Sequence, residues 1–332
     1  MKRILSLLCA AVLLYGCGAA AQPPEPVSML RISLAIPADA DAISLQTAQA
    51  FAKRVSEASQ QQLLVELVQT ADAAGALTDG SCGLALVPSG RIAALVPQLG
   101  IVAQPFFWKD YAHFTTAMNL PENLELTSLL AEPALGARVL GVYYGGSVTL
   151  LARKRVYDEL ALEKLSIALP PESLSLSCFE ALGARVQLLP RQEAVGAFMR
   201  SEISLIEGSV ADIPSLTTGQ NTVHVLPLDH YILGEWLLLS EELAKTLTAP
   251  QLAALNDGLA VSMEQNDRAR QEQETTAVVE QAADGVTRHE GGFFSITHAA
   301  GCRYLFEQVV PQSGWSDQLI EALLMGNRPG RY

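Results

Sequence analysis

The stretch 164–184, KLSIALPPESLSLSCFEALGA, decides how the chain is read. Leu165 to Leu169 is an apolar run of strand length. Pro170 and Pro171 end it, and an alternation of serine and leucine then opens a helix-like segment closing in Leu-Gly-Ala. A strand, a turn and a helix entrance follow in order. Free amides at such an entrance attract anions, and a basic side chain at the strand end would complete the grip, but position 168 is Ala. Outward from here the pattern repeats: RVQLLP is a strand, QEAVGAFMRS a helix and EISLIEG a strand. Upstream, MLRISLAIP, ISLQTAQAFAKRVSEAS, QQLLVELVQ and GLALVPSG read as strand, amphipathic helix, strand and strand. Strands alternating with helices call for a parallel α/β sheet, and two such units in succession predict two lobes.

Two long aromatic segments, RVLGVYYGGSVTLLARK (138–154) and VHVLPLDHYILGEWLLLSEE (223–242), stand where strands must run from one lobe into the other. The expected division places 30–142 and 232–250 in the first lobe and 153–228 and 270–332 in the second. The crossing segments are 143–152, 229–240 and a helix over 248–284. That helix starts with a capping-box-like arrangement, Thr248 with Pro250 and Gln251, and carries Leu252, Leu255, Leu259 and Met263 at helical spacing.

The ends and composition bound the environment. Residues 1–17, MKRILSLLCAAVLLYGC, have a positive start and an apolar run too short for a stable membrane span, which is signal-peptide character. Leu14-Tyr15-Gly16-Cys17 reads as a lipobox, so Cys17 is expected to carry lipid; cleavage near Ala19 to Ala21 by an ordinary signal peptidase is the alternative. Residues 18–29 read as a tether. The formal charge of −13 becomes two units more negative without Lys2 and Arg3, and there are no basic runs, which argues against nucleic acid. Cys82, Cys178 and Cys302 are left in the mature chain at long spacings, where burial as small hydrophobes is the expected state.

No chemistry-bearing motif stands out. His113, His224, His230, His289 and His298 lack metal-ligand spacing, and no G-x-S-x-G, Walker A or G-x-G-x-x-G sequence is present, so neither a metal, a cofactor nor enzymatic activity is expected.

The chain resembles the DctP-type extracytoplasmic solute receptors of TRAP transporters over essentially its whole mature length. The resemblance rests on FAKRVSEASQQQLLVELV (51–68), QPFFWKDYAHF (104–114), FEALGARVQLLPRQEAVGAF (179–198), SLIEGS with Glu207, and His230 in the second crossing strand. It implies a periplasmic-binding-protein-like fold of two α/β lobes, crossing strands and a long helix spanning both. It also implies a solute handed to integral-membrane permease subunits driven by an ion gradient, and an Arg clamp for the solute's carboxylate. Here the sequence departs. The clamp position before the A-L-G-A match is Ala168, and the second usual Arg falls on Gly146, Ser147 or Val148.

An acid buried without a cation loses several kcal/mol to desolvation, and Glu172 at the same helix entrance would oppose it. The resemblance therefore implies a neutral or lipid-like solute, lined by Phe106, Phe107, Trp108, Tyr143, Tyr144, Tyr231 and Trp236, part of which belong to the core. Ala168, Ser173 and Glu207 complete the expected site, with Ser175 as a further donor and His230 as a structural hydrogen-bonding residue. Lipidated Cys17 and the missing arginines are similar to a lipoprotein branch that pairs with a periplasmic tetratricopeptide-repeat protein. The alternative is a receptor fold reused as an interaction or scaffold lipoprotein without a transported solute.

Overall fold

The computed structural model describes residues 29–325 except 155, 157–161, 164, 172, 210–211, 217–222, 283–285 and 289–292. The expected leader, Cys17, most of the tether and Glu172 lie outside the described residues. Strands β1 (Leu30–Pro37) and β2 (Leu63–Thr70) pair in parallel, with helix α1 (Ala42–Ala58) as the crossover. Asp41 starts that helix by accepting from the Ser44 amide at 2.8 Å. Its buried positions Ser44, Thr47, Ala48, Phe51 and Val55 recur every three or four residues, so one face lies on the sheet. After α2 (Ala73–Thr78), strand β3 (Leu84–Pro88) adds to the other side of β1.

Helix α3 (Ser89–Leu95), a 3₁₀ turn (Pro97–Ala103), α4 (Tyr111–Asn119) and α5 (Pro121–Leu135) cover this half. Strand β4 (Ala137–Ala152) then runs out of it. The second half contributes β5 (Ser166–Leu169), α6 (Leu176–Ala181), β6 (Arg185–Leu188), α7 (Arg191–Met199), β7 (Leu205–Gly208) and α8 (Ile213–Leu216). Strand β8 (Val223–Ser240) returns antiparallel to β4, and the described strands form a single sheet ordered β2-β1-β3-β8-β4-β7-β5-β6.

The β4–β8 ladder is broken where the halves meet. Val148 faces Tyr231 but Leu150 faces Leu226, so β8 spends residues 227–230 where β4 spends Thr149 alone. Asp229 takes a left-handed conformation there (φ 41°). Thr149 replaces the missing ladder bonds, its hydroxyl donating to the Leu226 carbonyl and accepting from the Leu228 amide at 3.0 Å.

Helix α9 (Glu241–Thr246) leads to α10 (Ala249–Ala282), whose start is a capping box: the Gln251 side chain accepts from the Thr248 amide at 2.8 Å. Beyond its first turns the inner face of α10 is a polar ridge with four-residue spacing. Ser262 meets the Tyr143 hydroxyl at 2.8 Å, and Asn266 donates to the Tyr144 carbonyl at 2.8 Å. Arg270 grips Asp41, with Nη2 at 3.1 Å from Oδ1, and Glu274 accepts from the Tyr144 hydroxyl at 2.7 Å and the Ser147 amide at 3.1 Å. Gly258 begins the ridge, where α10 crosses α1.

The chain ends with β9 (Val286–Arg288) beside β8, α11 (Phe293–Tyr304), a π turn (Leu305–Val309), α12 (Val310–Ser313) and α13 (Asp317–Leu323). Leu305, Leu319, Ile320, Leu323 and Leu324 pack with Leu99, Trp108 and Phe114. The expectation that 270–332 belongs to the second lobe is thus corrected for this stretch. The apolar face of α13 fills the space beside α4, where His113 Nε2 lies 3.0 Å from the Leu323 carbonyl.

Gly258 is a sharp test of the brace. A Cβ there would sit 2.4 Å from Val55 Cγ2 and 3.3 Å from the Phe51 ring. Alanine gains about 1 kcal/mol of helix propensity over glycine, which offsets part of the clash, so valine is the decisive variant. Gly258→Val is expected to lower stability by about 1–3 kcal/mol, read as a lower urea midpoint with unchanged slope; an unchanged midpoint would show that α10 does not press on α1 here.

Candidate functional site

The two halves and the C-terminal segment enclose a cleft of about 1260 Å³, above the usual range of roughly 300–1,000 Å³ for ligand pockets. The first half supplies Gly90, Arg91, Ala93 and Pro97 from α3 and the turn after it. The second half supplies Pro170, Ser173, Leu174 and Ser175 from the loop between β5 and α6, Arg191 at the start of α7, and Glu207, Ser209 and Asp212 around the end of β7. Val148, Tyr231 and Leu233 form the back wall where β4 and β8 lose register, and Tyr304, Gln308, Gln312 and Trp315 close one side. The cleft therefore lies beyond the carboxyl ends of β5 and β7, as in other open α/β sheets.

Of the residues expected to bind solute, Ser173, Glu207 and Tyr231 come together here, along with Ser175. The remaining seven require a correction, because none lines the cleft. Phe107, Trp108, Tyr144 and Trp236 belong to the core of the first half, and Tyr143 to the core between the sheet and α1 and α10. Trp108 and Trp236 satisfy their indole N–H groups internally, on the Val102 carbonyl and the Ser89 hydroxyl, each at 2.9 Å. Phe106, in a left-handed conformation (φ 64°), packs against Phe179, His230 and His298. Ala168 faces Leu151, Phe198 and Ile206 in the core of the second half. The physical reason is that helices cover both faces of β4, β5 and β8, so Tyr143, Tyr144, Ala168 and Trp236 point into packed layers. Phe106, Phe107 and Trp108, in the loop before α4, are buried in the adjoining cores.

Glu207 is buried, and its carboxylate is held on both oxygens. Oε1 lies 2.9 Å from His230 Nε2, and Oε2 accepts from the Ser173 hydroxyl at 2.9 Å. Burial alone would raise its pKa, but the bonds from His230, Ser175 and Ser173 outweigh it and hold the carboxyl below the ordinary glutamate value. Beside it, burial first and the Glu207 charge second push Tyr231 up to about 12, so its hydroxyl stays neutral at the cleft wall.

The sequence reading missed the cations of the cleft. Arg191 Nη2 pairs with Asp212 Oδ1 at 2.7 Å, and Asp212 Oδ2 also accepts from the Ser209 amide at 2.6 Å. Arg91 Nη2 lies 3.4 Å from both carboxylate oxygens of Asp72. The expectation of a gap without any guanidinium is therefore overturned. One signal pointed to Arg191: it directly follows Pro190 as the first residue of α7, where a positive charge opposes the helix dipole, so helix stability does not explain it.

The bacterial extracellular solute-binding protein family 7 model, DctP, matches residues 35–291. Among solved structures, the TRAP periplasmic solute binding protein from Rhodobacter sphaeroides, in an open apo form, is 19% identical over 89% of this chain and 99% of its own, with a TM-score of 0.79. That from Desulfovibrio desulfuricans, with bound sn-glycerol-3-phosphate, is 18% identical over 90% of this chain and 97% of its own, with a TM-score of 0.73. That from Polaromonas, bound to D-erythronate, is 17% identical over 89% of this chain and 98% of its own, with a TM-score of 0.68. Two α/β halves around a cleft at the strand ends, matched by that family model over most of the length, place the chain in the DctP family of bacterial extracellular solute-binding proteins, the extracytoplasmic receptors of TRAP-type transporters.

Proposed function

We propose that this receptor delivers an uncharged, mainly apolar solute to its TRAP permease. The observation that carries the reading is that each guanidinium at the cleft is already matched by a carboxylate, Arg191 by Asp212 and Arg91 by Asp72. The charged groups of the lining among the described residues are Arg91, Arg191, Glu207 and Asp212, which cancel formally. An acid entering the cleft has to displace Asp212 from Arg191, trading one charge-assisted bond for another while Asp212 loses that cation. A neutral solute meets no such exchange. Val148 stands at one of the positions expected for a second clamping Arg, and Leu174 and Leu233 present exposed apolar surface to the same space. Proteins of similar fold bind sn-glycerol-3-phosphate and D-erythronate, so anionic solutes are the competing class. We further propose that lipid on Cys17 anchors the receptor to the membrane from the periplasmic side, and that a periplasmic tetratricopeptide-repeat protein accompanies it.

Organic extraction of the purified receptor is expected to release apolar material visible by mass spectrometry. Calorimetry is expected to show no binding of sn-glycerol-3-phosphate or D-erythronate, and micromolar affinity for either would overturn the uncharged-solute reading. Asp212→Asn keeps an acceptor for the Ser209 amide but releases Arg191 from its counter-charge. Affinity for those two anions should then rise by roughly 10-fold or more, given about 1.5–3 kcal/mol for a hydrogen bond to a charged group. If the variant binds anions no better than the parent, Arg191 does not face the solute.

A further inference from the structure

A second, smaller chamber of about 280 Å³ adjoins the cleft, sharing Gln104, Ser173, Leu174, Tyr304 and Val309 with its lining. Beyond those shared residues its wall is mostly apolar, with Pro105, Leu176, Cys178 and Leu305. Burial pushes the Cys178 thiol up to about 12, so it presents a neutral, oily surface there. Leu174 stands on the shared wall and leaves 44% of its surface exposed. Ser173 stands on the same wall, and its hydroxyl donates to the Glu207 carboxylate at 2.9 Å. The boundary thus has two characters: a hydrogen-bond acceptor with depressed proton affinity on the cleft side, and a narrow apolar space behind Leu174.

We propose that the chamber receives the alkyl chain of the solute, while a polar end that donates a hydrogen bond, such as a hydroxyl, sits in the cleft at Glu207 and Ser173. This rests on the uncharged-solute reading and names the solute class as a single-chain amphiphile with a non-anionic head. A carboxylate head is disfavoured at this place because it brings a second negative charge to Glu207 and has no proton to donate. The chain gains by leaving water, and Leu174 is buried along with it.

Calorimetric titration of the purified receptor with 1-hexanol, 1-octanol and 1-decanol tests the assignment, with decanoate as the anionic counterpart. In the parent protein affinity should rise by about fourfold per added methylene, and decanoate should bind at least tenfold more weakly than 1-decanol. Leu176→Trp fills the chamber from a half-buried position, and Ser177→Trp does so from its exposed rim without touching the core. In either variant, folded by circular dichroism, the gain between hexanol and decanol should disappear while hexanol binding persists. An unchanged gain in both variants puts the chain in the open cleft and overturns the chamber assignment, leaving the uncharged-solute reading intact. Tighter binding of decanoate than of decanol overturns the head-group assignment and that reading together. Absence of binding by all three alcohols overturns this inference, and the glycerol phosphate and erythronate titrations then judge the reading on its own.

Discussion

The pairing of β4 with β8 is the constraint on which the rest of the molecule depends. Each strand is long enough to belong to both halves, and the other strands attach to this pair directly or in series. β3 zips onto the later part of β8, from Leu84 opposite Leu239 to Pro88 opposite Glu235. β7 zips onto the later part of β4, from Thr149 opposite Gly208 to Ala152 opposite Leu205. The two walls of the cleft are therefore positioned by one ladder, and the place where it loses register sets their relation. At that place the structure uses side chains where backbone bonds fail: the Thr149 hydroxyl serves residues 226 and 228, and Glu274 takes the Ser147 amide next to Gly146, whose φ is 104°. A break in a central ladder leaves buried polar groups that cost free energy unless satisfied, and these contacts satisfy them.

The brace opposite the break follows from the same logic. Between residues 262 and 274, α10 meets the sheet and α1 through one polar row, in which Ser262, Asn266, Arg270 and Glu274 bond Tyr143, Tyr144, Ser44 and Asp41. Arg270 is 3% exposed and bridges Asp41 at the start of α1 to the region of Glu235 on β8. Burial raises the Glu235 carboxyl above the ordinary glutamate value, outweighing the bond from Ser44 and the field of Arg270, and the Asp41 charge adds to the rise.

Much of the architecture was legible because it is written in periodicity. The alternation of short apolar runs with amphipathic segments identified the α/β halves, the two aromatic runs marked the crossing strands, and Thr248 with Gln251 marked the start of the long helix. The polar row of α10 was not legible, since a search for apolar spacing finds only Leu252, Leu255, Leu259 and Met263. The site was legible only where its residues follow strand ends: Ser173 after β5, Glu207 near the end of β7, and Tyr231 just past the bulge. Aromatic content misled because most of these rings pack into the cores on either side of the sheet, while Tyr231 on β8 reaches the opening. The clamp position counted back from A-L-G-A misled at β5, where Ile167 and Leu169 enter one core cluster and Ala168 another, so neither side faces the opening. The place of contact lies one residue later, at Pro170.

The weight of the missing arginine changes accordingly. Its absence at position 168 says little about the solute, since that position is core. What distinguishes the cleft is the state of the cations it does hold. A guanidinium free to form a bidentate pair makes a carboxylate site; Arg191 instead gives Nη2 to Asp212 Oδ1 at 2.7 Å, and the other oxygen of that carboxylate takes the Ser209 amide. Glu207 adds a buried carboxyl on the same side, which burial would raise but which the bond and charge of His230 and the bonds from Ser175 and Ser173 hold below its ordinary value. On the uncharged-solute proposal, selectivity comes from an acceptor that favours donors and from apolar walls that favour chains, with each arginine paired to a carboxylate of its own half.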